Sequence, residues 1–396
     1  MLMKNIYLDH AATTKPKEEV IREMLPYLDE RYGNPSATYD LGMKNKAAIG
    51  FAREKVAVGL GCDAKHIFFT SGGTEADNWA LIGVAEKNRL KGNHIITTKI
   101  EHHAILNTCK YLETKGFEIT YLDVDKQGFV SVETLTNAIR STTILISVMF
   151  ANNEIGTMEP IKEIGKIARR KGIIFHTDGV QAYGQTKIDV DEYGFDLFSG
   201  SSHKIYGPKG IGFLYIRDEN MISGFLHGGM QEKGMRAGTE NVAAIVGFGK
   251  AAELAQIDLQ KKKMKKQKLR DYMVERIINE IPYTKINGDY KHRLANNANI
   301  SFSFVQASNV KTMLDNEGIY VSTGAACASR EEYPSHVLQA IGCSEDEMQG
   351  AIRITVGEEN TKEEIDYFIL KLKEIIDSLR RKSLSYGVKM KLYSEK

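Results

Sequence analysis

Asp196-Leu197-Phe198-Ser199-Gly200-Ser201-Ser202-His203-Lys204 is the stretch on which the fold turns. A short apolar strand runs directly into small hydroxyl residues, then a histidine and a lysine, and Tyr206-Gly207-Pro208-Lys209-Gly210 ends the unit. Polar turns that follow apolar strands in this way belong to open α/β sheets, where ligands gather beyond the strand ends. Outward from this stretch, strands are expected at Ile67–Thr70, His94–Thr98, Glu118–Leu122, Ile144–Phe150, Ile173–Thr177, Leu197–Ser199 and Gly212–Ile216. Several are solidly apolar rather than alternating, as strands covered on both faces are. Between them, Thr74–Arg89, Ala104–Lys115, Ser131–Arg140 and Ile161–Lys171 carry helical spacing. The alternation predicts an α/β fold whose mainly parallel sheet has helices on both faces.

The chain has 396 residues, enough for two domains with sizeable cores. Its 53 basic and 51 acidic residues leave a formal charge of +2, so no global field recruits nucleic acid or a membrane surface. Cys62, Cys109, Cys327 and Cys343 are too few and too scattered for a disulfide framework, and without a CxxC pair a structural metal site is not expected. The start, from Met1 to Thr14, lacks a long apolar run, and the run near Ile144-Leu145-Ile146 is far shorter than a membrane span. The expectation is a soluble cytoplasmic enzyme in a reducing compartment. Near Ala251 the character changes: one long polar helix is expected over about Ile245–Ile281, with the basic run Lys261-Lys262-Lys263-Met264-Lys265-Lys266 as a solvated face. Strands at Asn299–Phe304, Tyr320–Ser322 and Ala351–Thr355 and a final helix at Lys362–Lys382 then suggest a smaller α+β domain.

Three strand-end motifs carry chemistry. Hydroxyls and backbone N–H groups around Ser201 and His203 suit phosphate oxygens, and Lys204 beside them can form a Schiff base. In His176-Thr177-Asp178-Gly179-Val180-Gln181, an aspartate at a strand end can pair with a protonated pyridine nitrogen, with Gln181 near the phenolic oxygen. In Thr70-Ser71-Gly72-Gly73-Thr74-Glu75, glycines and a helix start offer N–H donors to phosphate. Each motif alone is weak. Together they suit pyridoxal phosphate.

With these motifs in view, the chain resembles the NifS/IscS-type cysteine desulfurases, the class V branch of fold-type I pyridoxal-phosphate-dependent transferases. The likeness rests on Tyr7–Thr14, Gly33-Asn34-Pro35-Ser36, Glu101-His102, Asn152-Asn153-Glu154-Ile155-Gly156, Ser201–Lys204, Arg236–Thr239, Gly324-Ala325-Ala326-Cys327 and Arg353. The resemblance implies a large cofactor domain with a seven-stranded sheet over residues 15–258, and a small domain from residues 1–14 and 259–396. It implies Lys204 as the cofactor lysine, Asp178 and Gln181 at the ring, and His102 stacked over it. Gly73, Thr74, Ser201 and His203 would bind the phosphate, and Thr239 would reach it across a homodimer interface. Asn153 and Arg353 would take the substrate carboxylate, where a guanidinium forms a directional, bidentate pair. Cys327 would receive sulfur from L-cysteine as a persulfide, leaving alanine, and pass it to an acceptor protein such as an iron–sulfur scaffold or one serving other thio-cofactors or tRNA thiolation.

The cysteine loop departs from the family pattern: Ala325 and Ala328 stand where serine and threonine are usual, and Arg330-Glu331-Glu332-Tyr333 adds charge. A selenocysteine lyase or aminotransferase would share Lys204 and Asp178 without needing Cys327. A catalytically silent scaffold would need none of the set.

Overall fold

The computed structural model describes residues 5–323, 335–383 and Tyr386. Its strands are, in chain order, β1 (Ile6–Tyr7), β2 (Ile67–Thr70), β3 (His94–Thr98), β4 (Glu118–Leu122), β5 (Thr143–Ser147), β6 (Ile174–Asp178), β7 (Leu197–Ser201), β8 (Gly212–Ile216), β9 (Thr284–Ile286), β10 (Asn297–Phe302), β11 (Ile319–Tyr320) and β12 (Ala351–Thr355). Strands β2 to β8 form one sheet in the order β2-β8-β7-β6-β5-β3-β4. Neighbours are parallel except at β8, which runs antiparallel to both β2 and β7.

The solid apolar runs have a simple cause. Alternate residues of each strand feed two different cores: Ile96, Ile146 and Phe198 face one side, while Ile95, Leu145 and Leu197 face the other. The second side packs on the helix Gly73–Asn88 through Trp79, Ala80 and Val84. On the first side, the helix Ile161–Lys171 buries Ile161, Ile164, Ile167 and Ala168 and stops at Gly172, whose φ of 65° is left-handed. Each large apolar side chain buried in this way contributes roughly 1.5–3 kcal/mol.

A third core lies towards the C-terminus. There β10 pairs antiparallel with β9 and β12, and β1 pairs parallel with β11. Ile300, Ile352 and Ile354 pack against Ile369, Leu372 and Ile376 of the helix Lys362–Arg381. Ile6 and Leu8 belong to this core too, so the N-terminal strand is built into the C-terminal layer.

Three expectations need correction. The long helix over Ile245–Ile281 is two helices, Val242–Gln256 and Leu259–Glu280, because Ile257 is extended and Asp258 is left-handed at φ 53°. Periodicity cannot see such a break, and aspartate tolerates that conformation better than most residues. The lysine run is not wholly solvated, since Lys266 is buried and its Nζ donates to Gln185 Oε1. The strand expected at Tyr320–Ser322 is β11, and Ser322 exchanges backbone bonds with Arg353 instead.

The sheet brings the motifs together. Strands β2, β6 and β7 end on the same edge, and Gly212 on β8 lies between Thr70 and Ser201. A Cβ on Gly212 would come within 2.6 Å of Gly200 O and of the Gly72 carbonyl carbon, so only glycine lets the two turns approach this closely.

Candidate active site

Gly73, Thr74, His102, Asn153, Asp178, Gln181, Ser201, His203, Lys204 and Arg353 all line one cavity of about 200 Å³ at that sheet edge. Thr239 does not: it is exposed beside Ser71, Arg236 and Glu240, in a separate depression. Cys327 lies outside the described residues.

Lys204 follows β7 after one short turn, and its Nζ donates to Ala11 O at 2.6 Å and Ala12 O at 2.8 Å. Gln181 Nε2 donates to the same Ala11 O at 3.0 Å. Asp178, the last residue of β6, is buried and accepts the Val180 N–H at 3.0 Å. Burial raises its pKa, and the Val180 N–H and the Lys204 charge work against that rise. Beneath it lies a buried network: His176 Nδ1 meets Ser147 Oγ at 2.9 Å, and its Nε2 meets Ser199 Oγ at 3.0 Å. With its pKa pushed down to about 3 by burial, His176 is a neutral spacer.

His102 caps the helix His103–Thr114, its Nδ1 accepting the Ala104 N–H at 3.1 Å. An accepting Nδ1 puts the proton of the neutral ring on Nε2. Burial, followed by the charges of Lys204, His103 and His336, pushes its pKa down to about 4. The ring is therefore neutral near pH 7. His103 starts the helix and packs on His336, ring centroids 4.8 Å apart.

Some residues at or beside the cavity were given no role by sequence reasoning. Asp77 is buried and lines the cavity, and Asp77, His102 and Asp178 bring ligand atoms within 4.8 Å of one another. Burial and the charge of Asp178 raise the Asp77 pKa well above the carboxylate range, and burial raises Asp178 as well, so the pair favours a shared proton over two charges. Its signal was present: Asp77 follows Gly73 by four residues, one helical turn on the same face. Glu101 is buried, accepting the Met149 N–H at 2.8 Å and the Thr98 hydroxyl at 2.9 Å. Burial raises its pKa strongly as well. The stretch Tyr7–Thr14 stands out in the sequence, but nothing in it gives Asp9 a role, because its partner Arg353 lies 344 residues away.

The donor set fits pyridoxal phosphate. The helix Gly73–Asn88 begins at Gly72 with no side chain capping it, so its first N–H groups remain for an anion, with Ser201 and His203 facing the same cavity. Lys204 and Asp178 offer an amine and a buried acid that would suit its aldehyde and ring nitrogen.

The class-V aminotransferase family matches residues 6–368. Cysteine desulfurase IscS of Clostridium botulinum strain Hall is 51% identical over 395 residues, covering 99% of this chain and 100% of that protein. Cysteine desulfurase IscS of Methanosarcina thermophila is 51% identical over 380 residues, 96% of this chain and 94% of that protein. Among solved structures, a NifS-like protein superimposes with a TM-score of 0.89 at 39% identity, covering 94% of this chain and 100% of that one. SspA in complex with cysteine follows at a TM-score of 0.79 and 38% identity, covering 90% of this chain and 100% of that one. A lysine, a buried aspartate and an uncapped helix start on one sheet edge, together with likeness over nearly the whole length, lead to one conclusion: the chain belongs to the class-V aminotransferase family and is a pyridoxal-phosphate enzyme.

Proposed function

We propose that this protein is a cysteine desulfurase, which takes sulfur from L-cysteine, leaves alanine and carries the sulfur as a Cys327 persulfide to an acceptor protein. The observation that carries the reading is the meeting of Lys204, Asp178, His102 and Arg353 in one cavity. Similarity to curated desulfurases at 51% identity supports the choice of activity within the family.

Bound pyridoxal phosphate supplies an electron sink next to the substrate α-carbon. Lys204 would hold it and then carry protons at Nζ, with the Ala11 and Ala12 carbonyls as acceptors for its ammonium. Asp178 would stabilise a protonated ring nitrogen, with Asp77 beside it in the same buried pair. His102, neutral, would exchange a proton at Nε2. Arg353 and Asn153 would orient the substrate carboxylate. The Cys327 thiolate would form an S–S bond with the substrate sulfur as the C–S bond breaks. That electron pair stays with carbon, which is protonated to the methyl group of alanine.

Residues 15–258 form the proposed cofactor domain and residues 1–14 and 259–396 the small domain, a division supported by the separate core shared by Ile6, Ile300 and Ile369. We place the protein in the cytoplasm as a homodimer in which Thr239 serves the partner's phosphate site. The exposure of Leu28, Tyr32, Met43, Phe51 and Met230, together with Thr239 lying outside its own cavity, supports the dimer. No helix among the described residues is long and apolar enough to cross a membrane. The acceptor would be an iron–sulfur scaffold or a protein of another thio-cofactor or tRNA-thiolation pathway.

The test is Cys327→Ala. The variant should keep the visible cofactor absorbance and bind L-cysteine, yet release no sulfide under reductant; normal turnover would end the proposal.

A further inference from the structure

Arg353 is held from all sides. Its backbone is locked between β10 and Ser322, with N–H and C=O both bonded to Ser322 at 2.8 and 3.1 Å. Its side chain is only 1% exposed. Nη1 donates to Asn153 O at 3.0 Å and Nη2 to Asp9 Oδ1 at 2.8 Å. Nε is buried and has no protein partner among the described residues. A buried guanidinium N–H left unpaired is costly, so this donor calls for an oxygen that the described residues do not supply.

Asp9 is itself rigid. Its carbonyl accepts the Ala12 N–H at 3.0 Å and the Tyr7 hydroxyl at 3.1 Å, and Asp9 bridges to Thr355 beside Arg353. The turn it opens is the one whose Ala11 and Ala12 carbonyls receive Lys204, whose Ala11 carbonyl receives Gln181, and whose Thr13 hydroxyl meets His203 Nδ1 at 3.1 Å.

We propose that Asp9 is the positioning residue for carboxylate capture: its pair with Arg353 fixes the guanidinium so that the remaining donor edge faces the α-carboxylate of the substrate. This rests on the reading of Arg353 as the carboxylate anchor. An arginine side chain loses rotamer freedom when fixed, and a rigid acid that fixes it beforehand spares the substrate that loss. Asp9 holds Nη2 through one oxygen only, so it orients the fork without closing both of its edges.

The experiment compares holoenzyme variants on three probes: L-cysteine turnover, L-alanine binding read from the cofactor absorbance, and binding of cysteamine, which lacks the carboxylate. Asp9→Ala should raise the cysteine KM and the alanine Kd about tenfold, about 1.4 kcal/mol, with kcat within twofold and cysteamine binding unchanged. Asp9→Asn, which keeps an acceptor oxygen in place, should recover most of the loss. Unchanged or tighter binding in Asp9→Ala, or an equal loss for cysteamine, overturns the proposal. If Asp9→Ala does not fold, Asp9→Ser carries the same expectation. Arg353→Gln separates the two readings. Should it leave the preference for cysteine over cysteamine intact, the anchor itself is wrong; should it abolish that preference while Asp9→Ala does nothing, only the role of Asp9 falls.

Discussion

Arg236→Ala is expected to weaken cofactor retention without touching the cofactor cavity. Arg236 Nε and Nη2 donate to the two oxygens of Glu75 at 2.7 and 3.1 Å, and the side chains are only 21% and 11% exposed. Glu75 Oε2 also accepts the Ser71 N–H at 2.8 Å, so the pair ties the Ser71–Thr74 turn to the segment that carries Thr239. Burial alone would raise the Glu75 carboxyl, but Arg236 and the Ser71 N–H outweigh it and hold the pKa below the usual range. A two-pronged, charge-assisted pair of this kind contributes about 1.5–3 kcal/mol. If most of that is spent in holding the phosphate turn, Arg236→Ala should raise the cofactor Kd roughly ten- to hundredfold. The assay is titration of apoenzyme with pyridoxal phosphate, followed at the visible Schiff-base band, with thermal unfolding alongside. A Kd within twofold of the parent with a lowered unfolding temperature would refute the reasoning and make the pair a fold contact only. Because the Glu75 pKa is depressed in the folded state, the pair's contribution is present above the unfolded carboxylate value and fades as pH falls through the folded one.

Two further outcomes follow from buried acids. Asp178→Asn should lower kcat/KM by roughly ten- to a hundredfold, the worth of a charge-assisted hydrogen bond, whereas Asp77→Asn, which removes one of two mutually repelling acids, should cost less than tenfold; equal losses would contradict separate roles for the two acids. Burial pushes Glu159 up to about 8, only partly offset by the Val130 N–H. Its folded pKa lies above its unfolded value, so its stabilising share is full below about 4.3 and is lost as pH rises through about 8. Glu159→Gln should therefore flatten the decline in unfolding temperature between pH 5 and about 8.5, and parallel curves for parent and variant would contradict the assignment.

The sheet was legible because burial on both faces leaves strands as apolar blocks bounded by turns. The observed bounds match expectation at β2, β3, β4, β8 and β12, and at the helix Ile161–Lys171. The helix Asp40–Val58 escaped notice for the opposite reason. It buries Ile49, Ala52 and Val56 but exposes Met43, Phe51 and Val58, so no apolar stripe stands out against a polar face. The break at Asp258 is a single backbone choice that no side-chain period encodes. At the site, residues at strand ends announced themselves, since a polar turn after an apolar run is visible locally. Asp9 and Arg353 are 344 residues apart, and nothing local to either one names the other.

That separation also shows which parts of the site share a layer. Asp9 follows β1, which pairs with β11, and bridges to Thr355 on β12, the strand of Arg353. Asp9 and Arg353 therefore sit on one layer, joined by their 2.8 Å pair, while the turn that follows Asp9 is bonded to Gln181 and Lys204 beyond the ends of β6 and β7. Asn153 sits between Asn152 and Glu154 on the other layer, where Asn152 N bonds to Thr157 O and its side chain to Ile100 O. The 3.0 Å bond from Arg353 Nη1 to Asn153 O joins the two layers, beside the bonds from Asn297 and Asn299 Nδ2 to Glu154 O at 3.3 Å. A substrate carboxylate held by both Arg353 and Asn153 would therefore bridge the two layers at a place where they already meet.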